Sequence, residues 1–323
     1  MKILITGVAG FIGSNLTKAL LNNGHSVYGI DNLSYGNLTN IESFQSNKYF
    51  QFILGDVCNP LLLKDIHVDI IIHLASQKIP RYSSAYRTLN ENYLMLENII
   101  NKCLRDKCKL IYASTSDVYG KNTNLPFNED SDFVLGNSKI KRWAYALSKI
   151  YGEQNIIANA DEYNLNYTIV RFFGSYGPNQ NLTWWGGPQS VFINKTFNNE
   201  PIEIHGDGSQ TRTFTYIDDT VTALLNCIES NKSDNEIFNI ASNPNEEISI
   251  LALGKLIWQL IHGEESTPKI KLVPYSDFGR YEDVNRRVPS INKLKEFFNF
   301  KPQYSLKEGL IKTIQWQKEA IKR

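Results

Sequence analysis

No stretch of this chain stays apolar for the roughly 20 residues that a membrane span requires. Strong charge is missing as well. Lysine and arginine total 34 against 33 aspartate and glutamate, a net charge of +1, so no field of one sign draws the chain to nucleic acid or to anionic lipid. Cysteine is scarce and scattered. Cys58, Cys103, Cys108 and Cys227 contain one close pair and neither zinc-ligand spacing nor a disulfide framework. Reduced thiols, a cytoplasmic setting and no metal site are the expectation. The opening "MKILITGVAGFIG" has a charged start and an apolar core, but three glycines interrupt it and no small-residue cleavage site follows. It reads as structure rather than as a secretory signal. Internal repeats and low-complexity tracts are absent too. What is left is an ordinary globular composition, 42% hydrophobic and 21% charged, in 323 residues. That length supports one large or two modest domains around a substantial core.

The first 175 or so residues alternate short apolar runs with helical patterns. "KILIT" (2–6), "SVYGI" (26–30), "YFQFILG" (49–55), "DIIIHLA" (69–75), "KLIYAS" (109–114) and "NYTIVRFF" (166–173) read as strands. Most are apolar on both faces, as in a parallel sheet covered on both sides. Helical patterns occupy 11–23, 88–106 and 141–161. This alternation predicts a Rossmann-like, doubly wound α/β domain. After 174 comes a long loop, "GSYGPNQNLTWWGGPQ", then a helix (190–199), a short strand (202–204) and "EIFNIAS", which adds a strand to the sheet. We expect a nucleotide-binding domain of residues 1–173 and 213–243, carrying a smaller mixed α/β domain of residues 174–212 and 244–323.

Three patterns carry chemistry. "ILITGVAGFIGSNLTKALLNNG" is a strand, a turn with Gly7, Gly10 and Gly13, and a helix. Such a turn lets the backbone approach a pyrophosphate, whose charge meets the amides at the helix N-terminus. Asp31 ends the second strand about 20 residues on, where an acid binds the adenosine ribose hydroxyls. A carboxylate there repels a 2′-phosphate and no arginine follows in "DNLSYGN", which favours NAD over NADP. "RWAYALSKIYGEQ" places Tyr145 and Lys149 on one helix face. A lysine ammonium one turn away favours a phenolate, which can take a proton from an alcohol as hydride leaves the same carbon. Third, "ASTSDVY" sets Thr115, Ser116 and Asp117 at the carboxyl end of a strand, either as a turn or as part of an active site.

Together with "GDV" (55–57), "HLAS" (73–76), "RFFGSYGP" (171–178) and "TRTFTYIDD" (211–219), these segments resemble, in order, those of the extended short-chain dehydrogenase/reductase family. Its NAD-dependent branch modifies nucleotide-linked sugars. The resemblance assigns Gly7, Gly10, Phe11, Ile12, Gly13, Asp31, Asn32, Asp56, Val57, Leu74, Ala75, Ser76 and Ser114 to the cofactor. Thr115 would hydrogen-bond the sugar hydroxyl being oxidised, Tyr145 would be the base, and Lys149 its partner and a ligand of the nicotinamide ribose. Lys78, Arg81, Gly174, Arg212 and Arg287 would face the substrate, Arg212 at its diphosphate. A homodimer is implied, paired through the helix near 88–106 and the Tyr145 helix.

In this family oxidation at the sugar's C4 is shared, and the residues after the threonine help decide the fate of the 4-keto sugar. A carboxylate such as Asp117 fits removal of the C5 hydrogen and loss of water from C5 and C6, so 4,6-dehydration ranks first. Decarboxylation of a uronic acid and 4-epimerisation are the alternatives. "IKRWAYALSK" and "RYEDVNRRVPSINKLKE" resemble stretches of UDP-glucuronate decarboxylases, in which the arginine aligned with Arg287 serves at the sugar carboxylate. The "NLTWWGGPQ" loop, with Trp184 and Trp185, departs from the corresponding decarboxylase segment, and Gly174 stands where the family often has an asparagine that contacts the substrate, which implies a remodelled sugar or nucleotide pocket.

Overall fold

A computed structural model describes residues 1–78 and 84–322; Arg81 lies outside the described residues. The chain runs β1 (Lys2–Thr6), α1 (Phe11–Asn22), β2 (Ser26–Asp31), β3 (Phe50–Leu54), β4 (Ile70–His73), α2 (Ala85–Asp106), β5 (Lys109–Thr115), α3 (Trp143–Tyr163) and β6 (Tyr167–Phe172). It continues through β7 (Ser175–Tyr176), α4 (Pro188–Phe197), β8 (Ile202–His205), β9 (Thr211–Arg212), β10 (Thr215–Tyr216), α5 (Ile217–Glu229) and β11 (Glu236–Ile240). The last elements are β12 (Ile248–Ser249), α6 (Ile250–His262), β13 (Ile270–Val273), β14 (Arg286–Arg287), α7 (Asn292–Phe298) and α8 (Leu306–Ala320).

Seven strands form one parallel sheet in the order β11-β6-β5-β4-β1-β2-β3. Its central strand shows why an unbroken apolar run becomes a strand here. Successive side chains of β1 point to opposite faces. Ile3 and Ile5 pack with Leu16 and Leu20 of α1, while Leu4 packs on the other face with Leu96 and Ile99 of α2. All three β1 side chains are fully buried. The chain order reverses between β1 and β4, and the cleft of a doubly wound sheet opens at the carboxyl ends of the strands beside such a point.

Local chemistry sets the element ends a few residues from the expected ones. Ser84 caps α2 by accepting from the amide of Arg87, so that helix starts at Ala85 rather than 88. Pro188 occupies the first turn of α4 and brings its start forward from 190. The long loop contains the two-residue β7, which pairs with β10. Two small sheets lie beyond the main one: β8 pairs in parallel with β13, and β9 lies between β12 and β14.

Candidate active site

A cleft of about 960 Å³ runs along the carboxyl ends of the central strands. On one side the glycine turn forms its floor. Gly7 has φ +76°, and a Cβ there would lie 3.0 Å from the backbone nitrogen of Ala75. A Cβ on Gly13 would sit 2.9 Å from the Cα of Val8. Both positions therefore require glycine. Helix α1 starts after Gly10 with no side chain capping its amides, so those donors remain for an anion. Asp31 accepts from the amides of Ala9 (2.9 Å) and Leu33 (2.8 Å). Burial raises its pKa, and these two bonds work against that rise. Asn32 donates to Asp56 at 3.0 Å. Phe11, Ile12, Val57, Leu74, Ala75 and Ser76 line the same cleft. The cradle that only glycine fits, the uncapped helix and the acid at the end of β2 fit a dinucleotide.

Thr115 ends β5 and Tyr145 lies in the first turn of α3, where their hydroxyls meet. Burial, with Asp117 adding to it, pushes the Tyr145 phenol above the ordinary range. The side chains of Thr115 and Ser76 face the Tyr145 hydroxyl and work to lower its pKa. Lys149 is 2% exposed, donates to the carbonyl of Ala113 at 2.8 Å and has its Nζ 5.9 Å from the Tyr145 ring centre. Burial draws its pKa down to about 7, and Glu153 alone resists. Beneath them, Glu153 accepts from Arg171 (Nε at 3.0 Å, Nη2 at 2.6 Å) and from the hydroxyl of Ser114. Ser114 thus lines the cleft with its hydroxyl spent on the floor below.

The other side of the cleft holds a cage of guanidinium groups. Strands β9 and β14 are parallel with Arg212 opposite Arg287, a register that sets two cations side by side. Asp117 Oδ1 accepts from Arg287 Nη2 at 2.5 Å and from Arg142 Nη2 at 3.1 Å. Asp283 Oδ1 accepts from Arg142 Nη1 at 3.2 Å and from Arg212 Nη2 at 3.0 Å, and its Oδ2 accepts from Tyr275 at 2.6 Å. Arg142 also donates to the Tyr281 hydroxyl at 2.9 Å, and Arg287 to Ser116 at 3.3 Å. Burial pushes the Asp117 carboxyl up, but Arg287, Arg142 and Arg212 outweigh it and hold the group below the usual range. Arg212 is drawn down to about 10, by burial first and then by Arg287. Three guanidinium groups against two carboxylates leave the cage one positive charge in excess.

Thr115, Asp117, Tyr145, Lys149, Lys78, Gly174, Arg212 and Arg287 thus all line one cleft. Ser116 is buried behind it, in contact with Arg287. Sequence reasoning missed Arg142, Tyr275, Tyr281 and Asp283. Arg142 offered a signal, since it stands three residues before Tyr145 and its position at the start of α3 follows from that spacing. Asp283 offered none, because its place depends on strand pairing far along the chain.

The profile of the "NAD dependent epimerase/dehydratase family" matches residues 3–241. The chain belongs to that family. It is an enzyme of the NAD-dependent, nucleotide-sugar branch of the short-chain dehydrogenase/reductase fold. Among its relatives, a UDP-N-acetyl-alpha-D-glucosaminuronate decarboxylase of Bacillus cytotoxicus is 35% identical, with 98% of both chains covered. Among solved structures, UDP-glucuronic acid 4-epimerase from Bacillus cereus, in complex with UDP-glucuronic acid and NAD, superposes with a TM-score of 0.87 at 29% identity, covering 99% of this chain and 100% of that one. The dTDP-glucose 4,6-dehydratase of Bacillus anthracis, in complex with NAD, gives 0.83 at 25%, covering 100% and 98%. Family members thus include decarboxylases, epimerases and dehydratases. No helix among the described residues is long and apolar enough to cross a membrane.

Proposed function

We propose that this enzyme acts on a UDP-linked uronic acid, oxidising the sugar at C4 and releasing its C6 carboxylate as carbon dioxide. The observation that carries this reading is the arginine cage. A guanidinium excess beside Tyr145 suits a substrate bearing a carboxylate in addition to its diphosphate. The full-length likeness to a uronate decarboxylase supports it. When bound, NAD accepts a hydride from the sugar and later gives it back. Tyr145 would accept the proton of the C4 hydroxyl once the positive charge of the bound cofactor has drawn down its phenol, which burial holds above the ordinary range, and Thr115 hydrogen-bonds that hydroxyl and orients it. A ketone at C4 makes the C6 carboxylate a β-keto acid, whose carbon dioxide leaves with the bonding electrons passing to the enolate. No base is needed for that step. Arg142, Arg212 and Arg287 position the carboxylate and the diphosphate, and Asp117 and Asp283 hold the guanidinium groups in place.

The second reading is the 4,6-dehydration that the carboxylate at Asp117 favours. Both guanidinium contacts on Asp117 fall on Oδ1, and among the described residues Oδ2 accepts none, so one oxygen remains to take a C5 proton. Mass spectrometry of products from UDP-glucuronate, UDP-N-acetylglucosaminuronate and neutral nucleotide hexoses decides between the readings. Loss of carbon dioxide from a uronate is expected. In that case Arg287→Ala lowers kcat/KM for the uronate on the order of 100-fold, the weight of a lost charged hydrogen bond. Loss of water from a neutral hexose overturns the reading in favour of dehydration, and an isomer of unchanged mass does so in favour of epimerisation.

The division into a cofactor unit (1–173, 213–243) and a sugar-nucleotide unit (174–212, 244–323), the cytoplasmic setting and a homodimer belong to the same proposal. Tyr86, Leu89, Tyr93 and Leu94 on α2 and Leu147 and Tyr151 on α3 are exposed. The two helices pack side by side, with Tyr93 edge-on to Tyr151. A second copy of this pair would cover that apolar face.

A further inference from the structure

The loop between β7 and α4 crosses the dinucleotide cleft, and one residue pins it to both walls. The Trp185 ring stacks on Tyr35 with centroids 3.9 Å apart and planes at 30°. Its carbonyl accepts from Lys78 Nζ at 2.7 Å. Tyr35 follows β2 and Lys78 follows β4, and these strands flank β1 in the sheet. A residue that touches both walls must therefore pass over the end of β1, where the glycine turn presents its amides. The near end of the loop is tied down at the same turn. Asn15 of α1 donates to the Pro178 carbonyl at 3.0 Å, Asn179 donates to Ser14 at 3.2 Å, and Asn40 bridges the carbonyls of Ala9 (2.9 Å) and Asn179 (3.3 Å). Glycines bound the crossing, Gly177 at φ +145° and Gly187 at φ +95°. Among the described residues, Trp185 meets the cleft walls through one ring stack and one hydrogen bond, its amide bonding within the loop to Thr183, a latch that opens without unfolding anything.

We infer that residues 181–187 are a strap that retains the dinucleotide, with Trp185 as the latch between Tyr35 and Lys78. The reaction proposed above gives the strap its use, because a cofactor lost between taking and returning the hydride would strand an oxidised sugar. The retention itself is tested without any substrate, so its failure is separate from a failure of that reading.

The test uses the purified full chain loaded with NAD and follows release of NAD after rapid dilution, together with the NAD content after gel filtration. The wild type is expected to hold its NAD through filtration. Trp185→Ala and Tyr35→Ala are expected to release it about tenfold faster or more, with Trp185→Phe close to the wild type because the stack is kept. Since both single variants break the same stack, the double variant should release NAD no faster than either alone. Circular dichroism checks the fold. If Trp185→Ala does not fold, Tyr35→Ala on the exposed opposite wall carries the test. NAD release unchanged in the folded alanine variants overturns the inference, as does equal loss in Trp185→Phe.

Discussion

Burying a lysine ammonium is costly, and Lys149 is 2% exposed. Lys149 is held near pKa 7, far below an ordinary lysine, so between about 7 and the lysine value near 10.4 the unfolded chain binds a proton that the fold does not. Stability therefore rises with pH across that window, and it is lost as pH falls back through it. Urea denaturation from pH 6.5 to 9 should show this slope, and Lys149→Met should flatten it while leaving the rest of the profile in place. The same residue shows where sequence reading succeeds at this scale. Tyr145 and Lys149 lie one helical turn apart, so their shared face is a property of spacing alone. Thr115 and Asp117 were legible because they follow directly from the end of an apolar strand.

At the scale of elements, the turn between β1 and α1 leaves no room for a side chain at Gly13. A methyl group on Gly13 meets the backbone of Gly7 and Val8, which cannot rotate away as a side chain would. Gly13→Ala is therefore expected to abolish NAD binding by forcing the turn open, with loss of NAD-dependent fluorescence quenching in titrations as the readout. Strands and helices up to β6 were legible because each is a long, periodic or wholly apolar segment whose pattern marks its type without reference to its distant partners. The two-residue β14 was not. Nothing in "RRVPS" marks a strand, and Arg286 and Arg287 take that form only because β9, some seventy residues earlier, offers them an edge. Asp283 is placed by the same pairing, so the half of the arginine cage that depends on it was invisible for the same reason.

For the whole molecule, the proposed pairing of two copies through the exposed apolar face of α2 and α3 makes a prediction about mass. Light scattering coupled to gel filtration should give the mass of two chains, and Leu94→Glu with Leu147→Glu should give the mass of one, because two buried carboxylates per protomer oppose pairing. The overall α/β architecture was readable from the alternation of runs, and the family from the order of its motifs. The reaction was not, since it turns on which charged groups long-range folding brings together at Asp117.

The separation of Arg287 from Asp117, 170 positions along the chain, also fixes an order of assembly. Synthesis delivers the glycine turn, Thr115 and Tyr145 first, and the β14 arginine close to the end. A ribosome that stalls before residue 286 leaves a polypeptide that carries Thr115, Tyr145 and Lys149 without the guanidinium group that the proposed function sets at an acidic sugar. On the proposed reading, the group that meets the acidic sugar therefore joins the site after those that would oxidise it, and it arrives with Leu294, Leu306 and Leu310, which complete the main core.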